Sequence, residues 1–81
     1  MIRLTLYSRA DCHLCHEMRA VVAAVGRELP LQVEDVDVDG DPALAAAHGD
    51  EVPVLFVNGR KAFKYRVDAA ALRERLRREL S

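Results

Sequence analysis

Both cysteines of the chain lie in one short stretch, "ADCHLCH", spanning residues 10–16. Two thiols three residues apart have three ordinary chemistries. They can cycle between dithiol and disulfide, supply half of a zinc site, or, with the following histidine, form the C-x-x-C-H pattern that attaches a haem. The haem reading uses Cys12, Cys15 and His16 as they stand. It requires an exported, usually helical protein, however, and no export signal is visible. The zinc reading needs further ligands. His13, His16 and His48 are the only histidines, and no second cysteine or histidine pair stands at ligand spacing. Redox cycling needs only the two thiols and a strand-to-helix junction to activate one of them.

The hydrophobic pattern supplies that junction. "IRLTLY" (residues 2–7) alternates apolar and polar residues and reads as a strand. From His13 onward, Leu14, Met18, Val21, Val22 and Val25 recur at helical spacing, with Gly26 and Pro30 ending the run. The cysteines therefore fall where the first strand hands over to the first helix. Asp11 or Cys12 takes the N-cap and Cys15 the first turn. Free N–H groups and the helix dipole there stabilise a thiolate, lowering its pKa below the free value of about 8.5. Cys12, nearer the end and more exposed, is the expected nucleophile, and Cys15 can attack the mixed disulfide that Cys12 forms. Asp11 opposes this activation, while protonated His13 or His16 would assist it.

Further along, "LQVEDVDV" alternates from Leu31 and shifts register at Val36, suggesting a strand with an irregular end. Its "DVDVDG" imitates a calcium loop, but Ala46 stands where a bidentate Glu belongs. Asp41-Pro42 opens a short helix that ends at Gly49. "VPVLFV" reads as a strand buried on both faces. Asn58-Gly59 turns the chain into an antiparallel partner, "RKAFKY", and Asp68 caps a last helix carrying Leu72, Leu76 and Leu80. The order is βαβ-αββα. It predicts an α/β fold in one domain over residues 1–81, a small mixed four-stranded sheet with helices on both faces.

Composition narrows the class. Apolar residues are 51% and charged residues 31%, with a formal net charge of −1, as in a globular rather than a disordered chain. All charged residues from Glu28 to Glu51 are acidic, whereas Arg60 to Arg78 is basic apart from Asp68 and Glu74. No aromatic ladder accompanies the basic third, so no nucleic-acid partner is expected, and no apolar run suggests a membrane. A cytoplasmic location and a monomer are the expectations.

With these residues in view, "YSRADCHLC" resembles the Y-S-(K/R)-x-x-C-x-x-C segment of the glutaredoxins, in the thioredoxin superfamily, and "VPVLFVNG" resembles their V-P-x-(V/L)-F-(I/V)-x-G strand and turn. The resemblance covers essentially the whole chain. It implies a thioredoxin/glutaredoxin-like fold and a thiol–disulfide oxidoreductase, with Cys12 as nucleophile, Cys15 as resolving thiol and a redox-active Cys12–Cys15 disulfide. Pro53 matches the cis-proline, which leaves the Val52 backbone free to pair with a substrate chain. Arg9 matches the residue that contacts a glutathione carboxylate. Tyr7 matches an aromatic near the active site, or packs half into the core. The implied substrates are disulfide-containing proteins or glutathione mixed disulfides. No tightly bound cofactor is implied, and glutathione or a thioredoxin reductase would be the electron source. A metal- or iron–sulfur-binding module built on the same cysteines is the alternative.

Two departures stand out. His13 and Leu14 replace the usual Pro and aromatic between the cysteines, and "FKYRVD" replaces the G-G-x-D that follows the hairpin. Phe63 and Lys64 are expected to stand at the glycine positions, crowding the backbone that glutathione approaches. Asp68 then serves as a helix cap, and Lys64 and Arg66 either steer anionic substrates or are solvated surface charge.

Overall fold

The computed structural model describes residues 1–80. Its elements follow the sequence pattern closely: β1 (Ile2–Ser8), α1 (His13–Gly26), β2 (Leu31–Asp37), a 3-10 turn (Val38–Gly40), α2 (Pro42–His48), β3 (Val54–Val57), β4 (Arg60–Lys64) and α3 (Ala69–Leu80). The four strands form one mixed sheet in the order β2-β1-β3-β4. β1 runs parallel to β2 and antiparallel to β3, and β3 runs antiparallel to β4.

One face of the sheet carries the core. Ile2, Leu4 and Leu6 of β1 and Leu55 and Val57 of β3 pack against Met18, Val22 and Val25 of α1 and Leu72 and Leu76 of α3. Strand residues alternate sides, so Tyr7 points to the other face, where it meets His48 of α2. Helices thus cover both faces.

Local chemistry ends the elements where the sequence suggests. The Asp41 carboxylate accepts the Ala43 N–H at 2.9 Å to open α2, and Asp68 accepts the Ala71 N–H at 2.7 Å to open α3. Asn58 and Gly59 take φ of 49° and 84°, the left-handed pair of a tight hairpin, and the Asn58 side chain accepts the Arg3 N–H at 3.0 Å. The irregularity expected in "LQVEDVDV" is resolved as a strand that stops at Asp37. There the Asp37 carboxylate accepts the Asp39 N–H at 2.9 Å, curling the chain into the 3-10 turn and burying Val38. β2 is an edge strand, and Val33 is accordingly exposed although its alternation points it coreward.

Candidate active site

β1 and α1 deliver the cysteines. Shortly after β1 ends, Cys12 takes extended backbone (φ −105°, ψ 115°) and becomes the N-cap of α1. Its Sγ accepts the Cys15 N–H at 3.2 Å, an interaction that a thiolate makes more strongly than a thiol. Of the two expected caps, then, Cys12 fills the place and Asp11 lies outside it, exposed. Cys12 and Cys15 are joined as a disulfide, with their Cα atoms 5.1 Å apart. The pair is asymmetric in access. Cys15 is fully buried, whereas Cys12 is half-buried and open to an incoming group.

β3 brings up the second expected element. Tyr7 pairs with Val54, which sets Pro53 beside the end of β1 that leads into the cysteine loop. The Val52–Pro53 bond is cis, Pro53 is buried, and its carbonyl accepts the Tyr65 N–H at 2.7 Å. Val52 stays half-buried. Tyr65 has φ of +70°, a left-handed conformation that glycine takes without cost, yet it carries a full aromatic side chain there. Its hydroxyl donates to the Asp50 carbonyl at 3.1 Å, so the ring spans the segment before Pro53. The glycine-like backbone after the hairpin therefore falls on Tyr65, one residue beyond the Phe63 and Lys64 expected from the sequence. Phe63 is instead half-buried against the core. Nearby, Glu51 binds Lys61 at 2.7 Å. That hydrogen bond, with the Lys61 and Lys64 charges, outweighs an opposing desolvation and holds the Glu51 carboxyl below its ordinary value.

Arg9 and Tyr7 are placed differently from a free ligand-binding pair. The Arg9 guanidinium donates to Asp39 Oδ1 at 3.0 Å and to the Gly49 carbonyl at 3.1 Å, tying the cysteine loop to the 3-10 turn and the end of α2. Gly49 has to be glycine for this approach, because a Cβ there would meet the Ala45 carbonyl and lie 2.9 Å from the guanidinium. The Tyr7 ring stacks on His48 at 4.5 Å and meets the edge of Phe56 at 5.4 Å, so the packing reading of Tyr7 describes its surroundings.

Two features escaped the sequence. The first is an apolar groove of about 630 Å³ beginning at Leu14, between the cysteines, and running between α1 and the β4–α3 connection. Met18, Val21, Phe63 and Val67 line it, and Glu17, Arg66 and Asp68 stand at its rim. Half of this signal was in the sequence: Leu14 and Val21 belong to the helical stripe but are only half-buried. The second is a polar cluster on the α1 face. Ser8 donates to Asp35 Oδ1 at 2.9 Å, and Arg19 binds Asp35 Oδ2, Ser8 Oγ at 3.0 Å and His16 Nδ1 at 3.1 Å. Its clue was Ser8 itself, a polar residue in phase with Ile2, Leu4 and Leu6.

Partial burial pushes the Asp35 carboxyl up, but hydrogen bonds from Arg19 and Ser8 and the Arg19 charge outweigh it, leaving the pKa below the ordinary carboxylate value. A lowered folded-state pKa means stability present above the unfolded value and lost as pH falls through the folded one. Asp35→Asn should therefore destabilise the protein at neutral pH. The gap from the unmutated protein should close as the pH falls below the ordinary carboxylate value of about 4 and through the lower folded-state one. Urea unfolding across that range measures it. A gap that persists at the acid end would show that charge is not the cause.

As to metals, no group of three or more His, Cys, Asp or Glu side chains converges among the described residues. His13 faces Glu17 at 3.9 Å, and His16 is engaged by Ala10 and Arg19. A metal or cluster held here would have the two thiolates and ligands from outside this site.

A mixed β2-β1-β3-β4 sheet, helices on both faces, a C-x-x-C at the start of α1 and a cis-proline opening β3 define the thioredoxin fold with a redox-type cysteine pair. The chain belongs to the glutaredoxin-like domain (DUF836) family, whose model matches residues 3–77. It is similar to the structure of target protein XcR50 from X. campestris, with 38% identity, a TM-score of 0.79, and coverage of 93% of this chain and 96% of that one. It is 33% identical over 76 residues to the uncharacterized protein Rv0508 of Mycobacterium tuberculosis, covering 88% of this chain and 78% of the relative. A mutant thioredoxin from Halobacterium salinarum superposes with a TM-score of 0.73 at 26% identity, covering 95% of this chain and 73% of that one.

Proposed function

We propose that the protein is a thiol–disulfide oxidoreductase that reduces protein or mixed disulfides in the cytoplasm, acting as a monomer with no tightly bound cofactor. The observation that carries this reading is the asymmetric pair itself: an accessible Cys12 at a helix N-terminus, facing the Cys15 N–H, with a buried partner already within disulfide reach. In the reduced protein, the Cys12 thiolate attacks a substrate S–S bond, forming a mixed disulfide. One substrate sulfur leaves as a thiolate and takes a proton from water. Cys15 then gives up its proton and attacks Cys12 Sγ, releasing the second substrate thiol and closing Cys12–Cys15. Two electrons pass to the substrate, and a dithiol or two thiols must return them. The apolar groove beginning at Leu14 supports polypeptide substrates, because it can take an apolar side chain flanking the reacting sulfur.

Tyr65 and Arg9 bear on the reductant. A tyrosine in the glycine-like conformation and a guanidinium committed to Asp39 and Gly49 leave little for glutathione to use, which supports a protein reductant such as a thioredoxin reductase. The test is reduction of a glutathionylated peptide by the Cys15→Ser variant, with glutathione as sole reductant. We expect weak turnover there, while the unmutated protein reduces a protein disulfide readily with dithiothreitol. Adding Tyr65→Gly should raise the glutathione-driven rate several-fold. Robust turnover with Tyr65 in place would show a glutathione-fed enzyme, and no disulfide reduction with either substrate would end the oxidoreductase reading.

A further inference from the structure

Ser8 is buried at 3% exposure, at the end of an otherwise apolar strand face. A buried hydroxyl is costly unless it is paired, and here it is paired twice, donating to Asp35 and accepting from Arg19. Arg19 gathers acceptors from three elements: Ser8 of β1, Asp35 of β2 and His16 of α1. A guanidinium can only donate, so His16 Nδ1 must be the acceptor. The ring hydrogen is then on Nε2, which lies 3.2 Å from the Ala10 carbonyl and donates to it. The chain of bonds thus runs from the sheet through Arg19 to the residue after Cys15, and closes on the loop before Cys12.

Its position matters for the cysteines. The first turn of a helix is held weakly, since its N–H groups lack intrahelical partners. Here the cap and that turn hold the two thiols, Cys12 and Cys15. Arg19 lies one turn beyond Cys15 on the same helix face and leans back toward the N-terminus, as its bond to His16 shows. We infer that Arg19 is a positioning residue for the redox pair: through Ser8, Asp35 and His16 it clamps both flanks of the C-x-x-C against the sheet, and so favours closure of the Cys12–Cys15 disulfide. This rests on the dithiol–disulfide reading above and adds to it the group that sets how readily the pair closes.

An ordinary surface ion pair would stabilise the oxidised and reduced forms alike and leave their ratio untouched. A positioning clamp changes the ratio. The experiment equilibrates the unmutated protein and Arg19→Met with dithiothreitol redox buffers and reads the closure constant by thiol alkylation and mass. Circular dichroism confirms that each form is folded. The closure constant should fall about fivefold or more in Arg19→Met, the scale of losing charge-assisted bonds. Asp35→Asn, a near-isosteric change on an edge strand and the second variant should Arg19→Met fail to fold, should lower it in the same direction. Closure constants within about twofold of the unmutated protein in both folded variants would overturn the clamp while leaving the oxidoreductase reading intact. A cysteine pair that fails to open and close in the unmutated protein would overturn both.

Discussion

Replacement of Cys12 by Ser should lower disulfide reduction by about three orders of magnitude or more, whereas Cys15→Ser should leave the first chemical step in place. The difference follows from geometry. The half-buried Cys12 Sγ caps α1 and receives the Cys15 N–H at 3.2 Å, so negative charge on that sulfur meets a donor and the positive end of the helix. A serine hydroxyl in the same place ionises far too weakly to use the donor as a nucleophile. Cys15 cannot take over, because it has no surface from which to reach a substrate. In Cys15→Ser, attack proceeds and the mixed disulfide has no internal thiol to resolve it, so a covalent protein–substrate adduct should accumulate. Single-turnover assays and intact mass separate the cases: no adduct with Cys12→Ser, one per chain with Cys15→Ser. Neither change should unfold the protein. A bridge across a sequence separation of 3 closes a very short loop, worth about 2 kcal/mol by chain entropy. An adduct on Cys15 in the Cys12→Ser protein would reverse the assignment of roles.

What the sequence made legible was governed by short-range rules. The cysteines at a strand-to-helix junction, the caps at Asp41 and Asp68, and the Asn58-Gly59 hairpin each depend on neighbours a few residues away, and each is present. The coreward stripes of β1 and α1 were legible too, because burial on one face imposes a period. On α3 the expected stripe holds at Leu72 and Leu76 and fails at Leu80, which lies exposed in the last turn of the helix, beyond the sheet and α1 that cover the other two. Features that depend on distant partners were not. Arg9 is satisfied by Asp39 and Gly49, both far along the chain, so its sequence context could not say that it was already committed. Tyr65 takes a glycine conformation because Asp50 and Pro53 hold it from across the hairpin. The groove arises from the gap between α1 and the β4–α3 connection, which no single element's pattern encodes. Tyr7 was ambiguous on its own. Stacking on His48 settles its surroundings because α2 folds over that end of the sheet.

Leu72→Ala should cost the protein about 3 kcal/mol of stability. An 81-residue domain commands only about 4–12 kcal/mol in total, so this is a large share. α3 is a 12-residue helix whose only buried residues are Leu72 and Leu76, and a helix this short is marginal in water by itself. An ion pair from α3 to the segment before β2, Arg73 to Glu28 at 2.8 Å, is solvent-exposed and contributes little to holding the helix in place. Docking therefore depends on two leucines filling the space between α1 and β1, and truncating one to alanine leaves a cavity in the centre of the core. Urea unfolding should show the midpoint falling sharply for Leu72→Ala and scarcely moving for Arg73→Ala. The consequence reaches the site, because Val67, Asp68, Ala69 and Ala71 form one wall of the groove beside Leu14. Loosening α3 should then impair reduction of protein disulfides while sparing that of a small disulfide, which needs Cys12 and Cys15 but no wall. Equal loss of both activities in the folded fraction would mean that the groove plays no part in holding substrates.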